Sequence, residues 1–368
     1  MDKKREARLK NICKSINEGD WGGERKDAVT FLGSSDVPHV ERWPSGCLAL
    51  DEAMGGGWPK GRLVEVFGPE SGGKSTICYH AIAEFQKAFT DEDVALIDSE
   101  FTFDPQYAQT LGVKVDQLLV CQPESGDQAL NVARQLVREE NVKLIIVDSV
   151  AALVPKAELD GDIGDVGVAQ QARLLSQTLR IITSEAGQHN ATIIFTNQVR
   201  EKIGVKWGEK TTTSGGRALR FYCSLRLDVR RIGSEKEGDV IVSNKVKATV
   251  QKSKVCVPYK VANFIITFGH GIDAMAGLFE AAVARKVIEK KGQSYIFDGS
   301  SLGRGKANAL GKLREDIPMQ DEVKGRLNVG RTSKVEPGFD VKGGTESENE
   351  PDNDDIDPEN EKVKVQDV

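Results

Sequence analysis

An α/β fold, a mostly parallel sheet with helices on both faces and an antiparallel extension, is predicted by three observations. Short apolar runs alternate with helical periodicity from about residue 45 to 268. The first of these runs leads into Gly-x-x-x-x-Gly-Lys-Ser. Beyond residue 216, strand-like stretches follow one another without intervening helices.

The elements follow in chain order. Leu9, Ile12, Cys13 and Ile16 fall at i, i+3, i+4, i+7, one apolar stripe of an N-terminal helix that must pack on this core or on a neighbouring subunit. Gly19, Gly22 and Gly23 break that pattern. Residues 62–67 form a strand, and a helix spans about 73–89. Val94 to Asp98 is a second buried strand and Leu118 to Cys121 a short third. Gln128 to Glu140 is helical. Lys143 to Asp148 is a strand ending in a carboxylate, at the edge where open α/β sheets place ligands. A long helix over about 166–186 precedes the strand Ala191 to Asn197, and residues 199–216 read as a Gly/Thr-rich loop. Ser224 to Val229 and parts of 240–250 alternate polar with apolar, and Val261 to Phe268 is β-rich. A small α/β unit follows, with a helix over 273–286 and the strand Ser294 to Phe297. After about residue 335 Gly, Pro, Asn and acids dominate, the composition of a disordered segment. The expected domains are residues 1–40 (helix and linker for subunit packing), 41–269 (core), 270–332 (small C-terminal domain) and 333–368 (acidic tail).

The stretch Leu63 to Thr76 is a strand, a glycine-rich turn and a helix start, the context a P-loop requires. Gly68, Pro69, Glu70, Ser71, Gly72 and Gly73 let successive N–H groups turn inward around a phosphate, and the helix opening at Lys74, Ser75 and Thr76 adds its positive end. Lys74 is expected to reach the β- and γ-phosphates and the Ser75 hydroxyl to ligate Mg²⁺. Asp148 is the matching carboxylate, holding Mg²⁺ through water. Glu100, after Asp98-Ser99 on the same sheet edge, can polarise an attacking water. ATP and Mg²⁺ are the expected cofactors.

Composition sets limits. The 368 residues are 39% hydrophobic and 29% charged, and no apolar run approaches the roughly 18–20 residues of a membrane span. No apolar region follows Met1-Asp2-Lys3-Lys4-Arg5-Glu6, so no secretory signal is expected. Six scattered cysteines without metal-ligand spacing fit a reducing, cytoplasmic setting. From Glu346 to Val368 ten acids face two lysines, a net of −8, so residues 1–345 carry +2 of the chain's total of −6. A slightly basic body with an acidic tail is compatible with a polyanion partner held in check by its own tail.

Gly68 to Ser75, Asp98-Ser99-Glu100, Asp104-Pro105-x-Tyr107-Ala108, Gln122-Pro123, Asp148 to Glu158, Asn197-Gln198-Val199-Arg200-x-Lys202-Ile203-Gly204, Leu227 to Gly233 and Gly303-x-Gly305-Lys306-Ala307-Asn308 run in the order found in bacterial RecA recombinases. The chain resembles that family over about residues 40–330, which implies a RecA-like P-loop NTPase core. The resemblance makes Glu100 the water-activating residue and Gln198 the γ-phosphate sensor. It places Asp104 and Tyr107 on the adenine, and sends Lys252 and Lys254, two apart on one strand face, into the next subunit's ATP. It implies two DNA-facing loops, near Glu158 to Val168 and at about 199–216. Arg200, Lys202, Lys206 and Lys210 would supply phosphate attraction, Thr212, Gly215, Gly216 and Arg217 further contacts, and Ile203 a wedge between bases. Arg173, Ser176 and Arg180 present a polar helix edge, and Arg230, Arg231 and Lys247 form a second strand site. Phe221 and Arg220 match subunit-interface positions. Single-stranded and duplex DNA, a head-to-tail helical filament, LexA-type repressors and recombination mediators are the partners so implied, and no membrane is.

The sequence departs from the family at Lys210 and Thr211, where Pro-Glu is common, and at Arg217, Val168, Phe101 and Thr249. Three other functions fit parts of the pattern. A ring helicase or motor is disfavoured by the Lys252/Lys254 pair and the N-terminal packing helix. An ATP-gated scaffold without catalysis is disfavoured by intact Lys74, Glu100 and Asp148. A small-molecule phosphotransferase leaves both loops and the tail unexplained.

Overall fold

The computed structural model describes residues 3–19, 29–31, 40–162, 169–201 and 211–327. Gly22, Gly23, the tip of the first loop (163–168), Lys202, Ile203, Lys206, Lys210 and the acidic tail lie outside them. The predicted N-terminal helix is α1 (Lys3–Asn17), none of whose residues is buried. The core begins with β1 (Arg42–Trp43), α2 (Leu48–Met54), β2 (Trp58–Pro59), β3 (Leu63–Gly68) and α3 (Lys74–Ala88). It continues with β4 (Asp93–Asp98), α4 (Pro105–Thr110), β5 (Leu118–Cys121), α5 (Gly126–Arg138), β6 (Val142–Asp148), α6 (Lys156–Leu159) and α7 (Gln170–Gln188). Next come β7 (Thr192–Glu201), β8 (Thr211–Thr213), α8 (Ala218–Tyr222), β9 (Leu225–Glu237), β10 (Val240–Ser253), β11 (Val261–Thr267) and β12 (Gly271–Ile272). The chain then adds α9 (Ala274–Ala284), β13 (Glu289–Lys291), β14 (Ser294–Phe297), β15 (Ser300–Arg304), α10 (Lys306–Glu315) and α11 (Ile317–Arg326).

Ten strands form one sheet in the order β12-β11-β10-β9-β3-β7-β6-β4-β5, with β8 paired to β7. From β9 to β5 the neighbours run parallel, and β10, β11 and β12 add on antiparallel. The expected extension is therefore present, except that its first strand, β9, is parallel to β3. A second difference concerns 199–216, read from sequence as an aperiodic loop. Its two ends form a hairpin stem, with Val199 opposite Thr213 and Arg200 opposite Thr212.

The apolar strands look uniform in sequence, yet their side chains alternate between two cores. Val64 and Val66, Val94 and Leu96, and Leu144 and Ile146 face one layer, which α3 seals with Ile77, Cys78, Ala81, Ile82 and Phe85. Leu63, Ala95, Ile97, Ile145, Val147, Ile193 and Phe195 face the other, covered by Ala129, Leu130, Ala133 and Val137 of α5 and by Leu175, Leu179, Ile182 and Ala186 of α7. Two-sided covering is why these strands carry so little polar patterning. A third cluster, with Leu278, Phe279, Ile288, Phe297, Leu302 and Leu313, gives residues 274–327 a core of their own around the sheet β13-β14-β15. Among the described residues no helix is long and apolar enough to cross a membrane.

Candidate functional site: the nucleotide edge and its hairpin

Parallel strands bring their C-terminal ends to one edge, and the sheet order decides which residues meet there. Gly68 of β3 lies in register with Gln198 of β7, and Asp98 of β4 with Asp148 of β6. The P-loop, Glu100, Asp148 and Gln198 are thereby assembled from segments far apart in sequence.

The loop's glycines answer to close neighbours. A Cβ on Gly68 would lie 2.0 Å from the carbonyl oxygen of Val229 on β9, and one on Gly72 would lie 3.0 Å from it. Gly73 opens α3 at φ 93°, a left-handed conformation that glycine adopts freely. Backbone cannot yield to a methyl group as a side-chain tip can. Gly68→Ala is therefore expected to lower stability by about 1–3 kcal/mol and to weaken nucleotide binding. The shift in denaturation midpoint, measured beside analogue affinity, checks this. An unchanged midpoint counts against the packing argument.

Lys74 Nζ donates to the carbonyls of Gly68 at 3.2 Å and Pro69 at 2.8 Å, folded back over the loop. Burial holds its pKa below the ordinary lysine value, opposed by the nearby charges of Asp148 and Glu100. Asp148 is 8% exposed. Burial raises its pKa, opposed by hydrogen bonds from the Thr196 and Ser75 hydroxyls. A buried carboxylate beside a P-loop serine is a hard-oxygen donor set of the kind that suits Mg²⁺ held jointly with phosphates. Ser75 and Asp148 would hold the ion, which would neutralise charge on the phosphates.

Glu100 Oε1 accepts hydrogen bonds from the Ser149 hydroxyl and, at 3.4 Å, from Gln198 Nε2. Ser99 Oγ in turn donates to the Ser149 carbonyl at 2.8 Å. Tyr107 is fixed by its hydroxyl contact with Thr76 Oγ1 at 3.1 Å and by edge packing on Tyr79. Asp104, expected on the adenine, caps α4 by accepting from the N–H groups of Gln106 and Tyr107. Nothing in the sequence singled out Ser149 or Thr196. Their signal is only that each hydroxyl adjoins a carboxylate once β6 and its neighbours are aligned.

The DNA-facing candidates divide in two. Arg173, Ser176 and Arg180 are all exposed along α7, whose Leu175 and Leu179 point into the core. Gly215, at φ 77°, seats the hairpin's return on this helix, since a Cβ there would lie 2.2 Å from Leu175 Cδ1. Gly216 lies against Ala172 of the same helix. Arg200 and Arg217 are exposed on either side of the stem, and Thr212 is half-buried. The second group lies on β9 and β10. Arg230 is paired across the ladder with Lys247 and forms an ion pair with Asp228 at 3.0 Å, and Arg231 and Lys247 are exposed.

Lys252 and Lys254 sit elsewhere. The Lys252 Nζ donates to the carbonyls of Arg220 at 2.6 Å and Phe221 at 3.0 Å, and Lys254 Nζ approaches the latter at 3.5 Å. The Lys254 N–H bonds Ser224, whose own N–H bonds Leu63 at the start of β3. Five residues of strand then separate that level from Gly68, roughly 17 Å at the usual rise per residue. Neither lysine reaches its own chain's P-loop.

A P-loop opening a helix, a carboxylate at the end of a neighbouring parallel strand, and a second carboxylate beside a strand-end glutamine define a nucleoside triphosphatase of the P-loop class. The RecA N-terminal domain family matches residues 8–273. Protein RecA of Streptomyces coelicolor is 47% identical over 324 residues, 86% of this chain and 86% of that one. Protein RecA of Tropheryma whipplei is 48% identical over 303 residues, covering 82% and 69%. Protein RecA of Nostoc sp. is 43% identical over 336 residues, covering 91% and 92%. The chain belongs to the RecA family, and is a recombinase with DNA-dependent ATPase activity.

Proposed function

We propose that the chain uses ATP and Mg²⁺ to form a head-to-tail filament on single-stranded DNA, pairs that strand with a homologous duplex and releases the product on hydrolysis. In this reading Glu100 takes up the proton of the attacking water, Lys74 and the P-loop N–H groups hold the phosphates, and Gln198 senses the γ-phosphate. Lys252 and Lys254 complete the site of the adjoining subunit. Backbone-directed contact from Arg173, Arg180, Arg200 and Arg217 holds any sequence and leaves homology to base pairing. Lys202 and Ile203 would extend that surface, and Arg230, Arg231 and Lys247 would hold the second strand. Promotion of LexA-type repressor cleavage, recombination mediators and a cytoplasmic location belong to the same proposal.

The observation that carries it is the position of Gln198. It touches Glu100, and two residues later Arg200 stands in the stem of the hairpin. This supports a reading in which one short strand segment responds to both nucleotide state and DNA contact. Hydrolysis by the wild type, measured with and without single-stranded DNA, tests this. Strong stimulation is expected, and hydrolysis indifferent to DNA overturns the reading of the hairpin.

A further inference from the structure

A polar cluster lies under the hairpin, on the β3, β7 and β9 face that α7 and α8 cover, and the chemistry above does not use it. Glu65 is fully buried in the middle of β3, and Arg226 of β9 is 5% exposed. Arg226 Nε donates to Glu65 Oε2 at 2.5 Å, and its guanidinium lies over the Phe67 ring, 4.4 Å from the centroid. Asn197, also fully buried, donates from Nδ2 to Glu65 Oε1 at 3.0 Å and to the Ser214 carbonyl at 3.0 Å. Its Oδ1 accepts the N–H of Gln198 at 2.9 Å.

One asparagine side chain therefore holds the outgoing strand at Gln198 and the returning strand at Ser214, and the ion pair holds the asparagine. The other side of the ion pair leads to the lysines, because Arg226 faces Lys252 across the β9–β10 ladder. A buried ion pair is weak evidence of a stability role, since apolar residues of similar volume fill such a space as well or better. The polarity has another use here. It gives Asn197 a charged acceptor and so fixes its amide between two strands. Among the described residues Arg226 Nη2 has no hydrogen-bond acceptor, which leaves one arm of the guanidinium unmatched in this arrangement.

We propose that Glu65 and Arg226, acting through Asn197, are positioning residues that tie both stems of the hairpin to the sheet and so carry DNA contact to Gln198. This rests on the reading of the hairpin as the DNA-responsive element. None of the three residues touches nucleotide or DNA in this scheme. Their removal uncouples the two without abolishing either binding event.

The test uses full-length chains carrying Asn197→Ala, or Glu65→Leu together with Arg226→Met, beside the wild type. The ratio of kcat with saturating single-stranded DNA to kcat without it is measured, with affinity for a fluorescent ATP analogue and the thermal midpoint. Both variants are expected to lose about tenfold or more of the DNA stimulation, while analogue affinity stays at the wild-type value. Full stimulation in Asn197→Ala overturns the proposal, and that variant decides the matter if the paired one does not fold. Loss of analogue affinity in step with stimulation also overturns it, because that is the mark of a merely structural role. A wild type that DNA does not stimulate overturns the functional reading and this one with it. A stimulated wild type beside fully stimulated variants overturns this one alone.

Discussion

Glu100→Gln is expected to hydrolyse ATP at least about 100-fold more slowly than the wild type on single-stranded DNA, while binding nucleotide and DNA with undiminished affinity. The amide matches the carboxylate in shape and still accepts from the Ser149 hydroxyl, so the hydrogen bond at that site is kept. What it lacks is the basic oxygen that, in the proposed role, would take the proton of the attacking water. Glu100 is exposed at the sheet edge, and removing its charge leaves no buried partner stranded. The fold is therefore expected to be unaffected. Steady-state hydrolysis, with analogue binding as control, separates the outcomes. A loss of less than about tenfold would return Glu100 to the status of a surface carboxylate.

The second large effect is expected from Lys252→Ala combined with Lys254→Ala. Cations supplied across an interface to a phosphoryl-transfer site are worth about 10³–10⁵ in kcat. Here the two ammonium groups face the C-terminal carbonyls of α8 and lie far from their own P-loop. The decisive experiment mixes chains. Neither the lysine variant nor Glu100→Gln alone is expected to hydrolyse ATP appreciably, whereas a mixture is expected to regain activity wherever an intact Glu100 meets a neighbour's intact lysines. Recovery in the mixture, absent from either variant alone, supports a shared site. Failure to recover shows that the lysines act within their own chain, by holding α8.

The parts of this architecture that were legible in the sequence are those spelled locally. The P-loop needs its glycines and Lys74 in one contiguous run. Asp98 and Asp148 close apolar runs, and the parallel order of the sheet then puts them side by side. The hairpin stem was not legible, because Val199 to Glu201 and Thr211 to Thr213 carry no alternation strong enough to mark strands. The Glu65–Arg226 pair was invisible for a different reason. Glu65 is a lone charge in an apolar strand and Arg226 one of several charges in an alternating one; they are 161 residues apart and meet only because β9 lies next to β3. Asp104 shows a third limit, since one residue can serve as a helix cap and as a ligand contact, and spacing does not separate the two.

The distance between the lysines and the P-loop has a consequence for counting. If each catalytic centre draws its halves from two chains, a filament always contains one fewer complete centre than it has members. The terminal chain at one end presents a nucleotide site with no visitor, and the chain at the other end offers lysines to nothing. Turnover per chain then rises with length and levels off. Under that condition a pair turns over at about half the per-chain rate of a long filament, and the loss at the ends fades as the assembly grows.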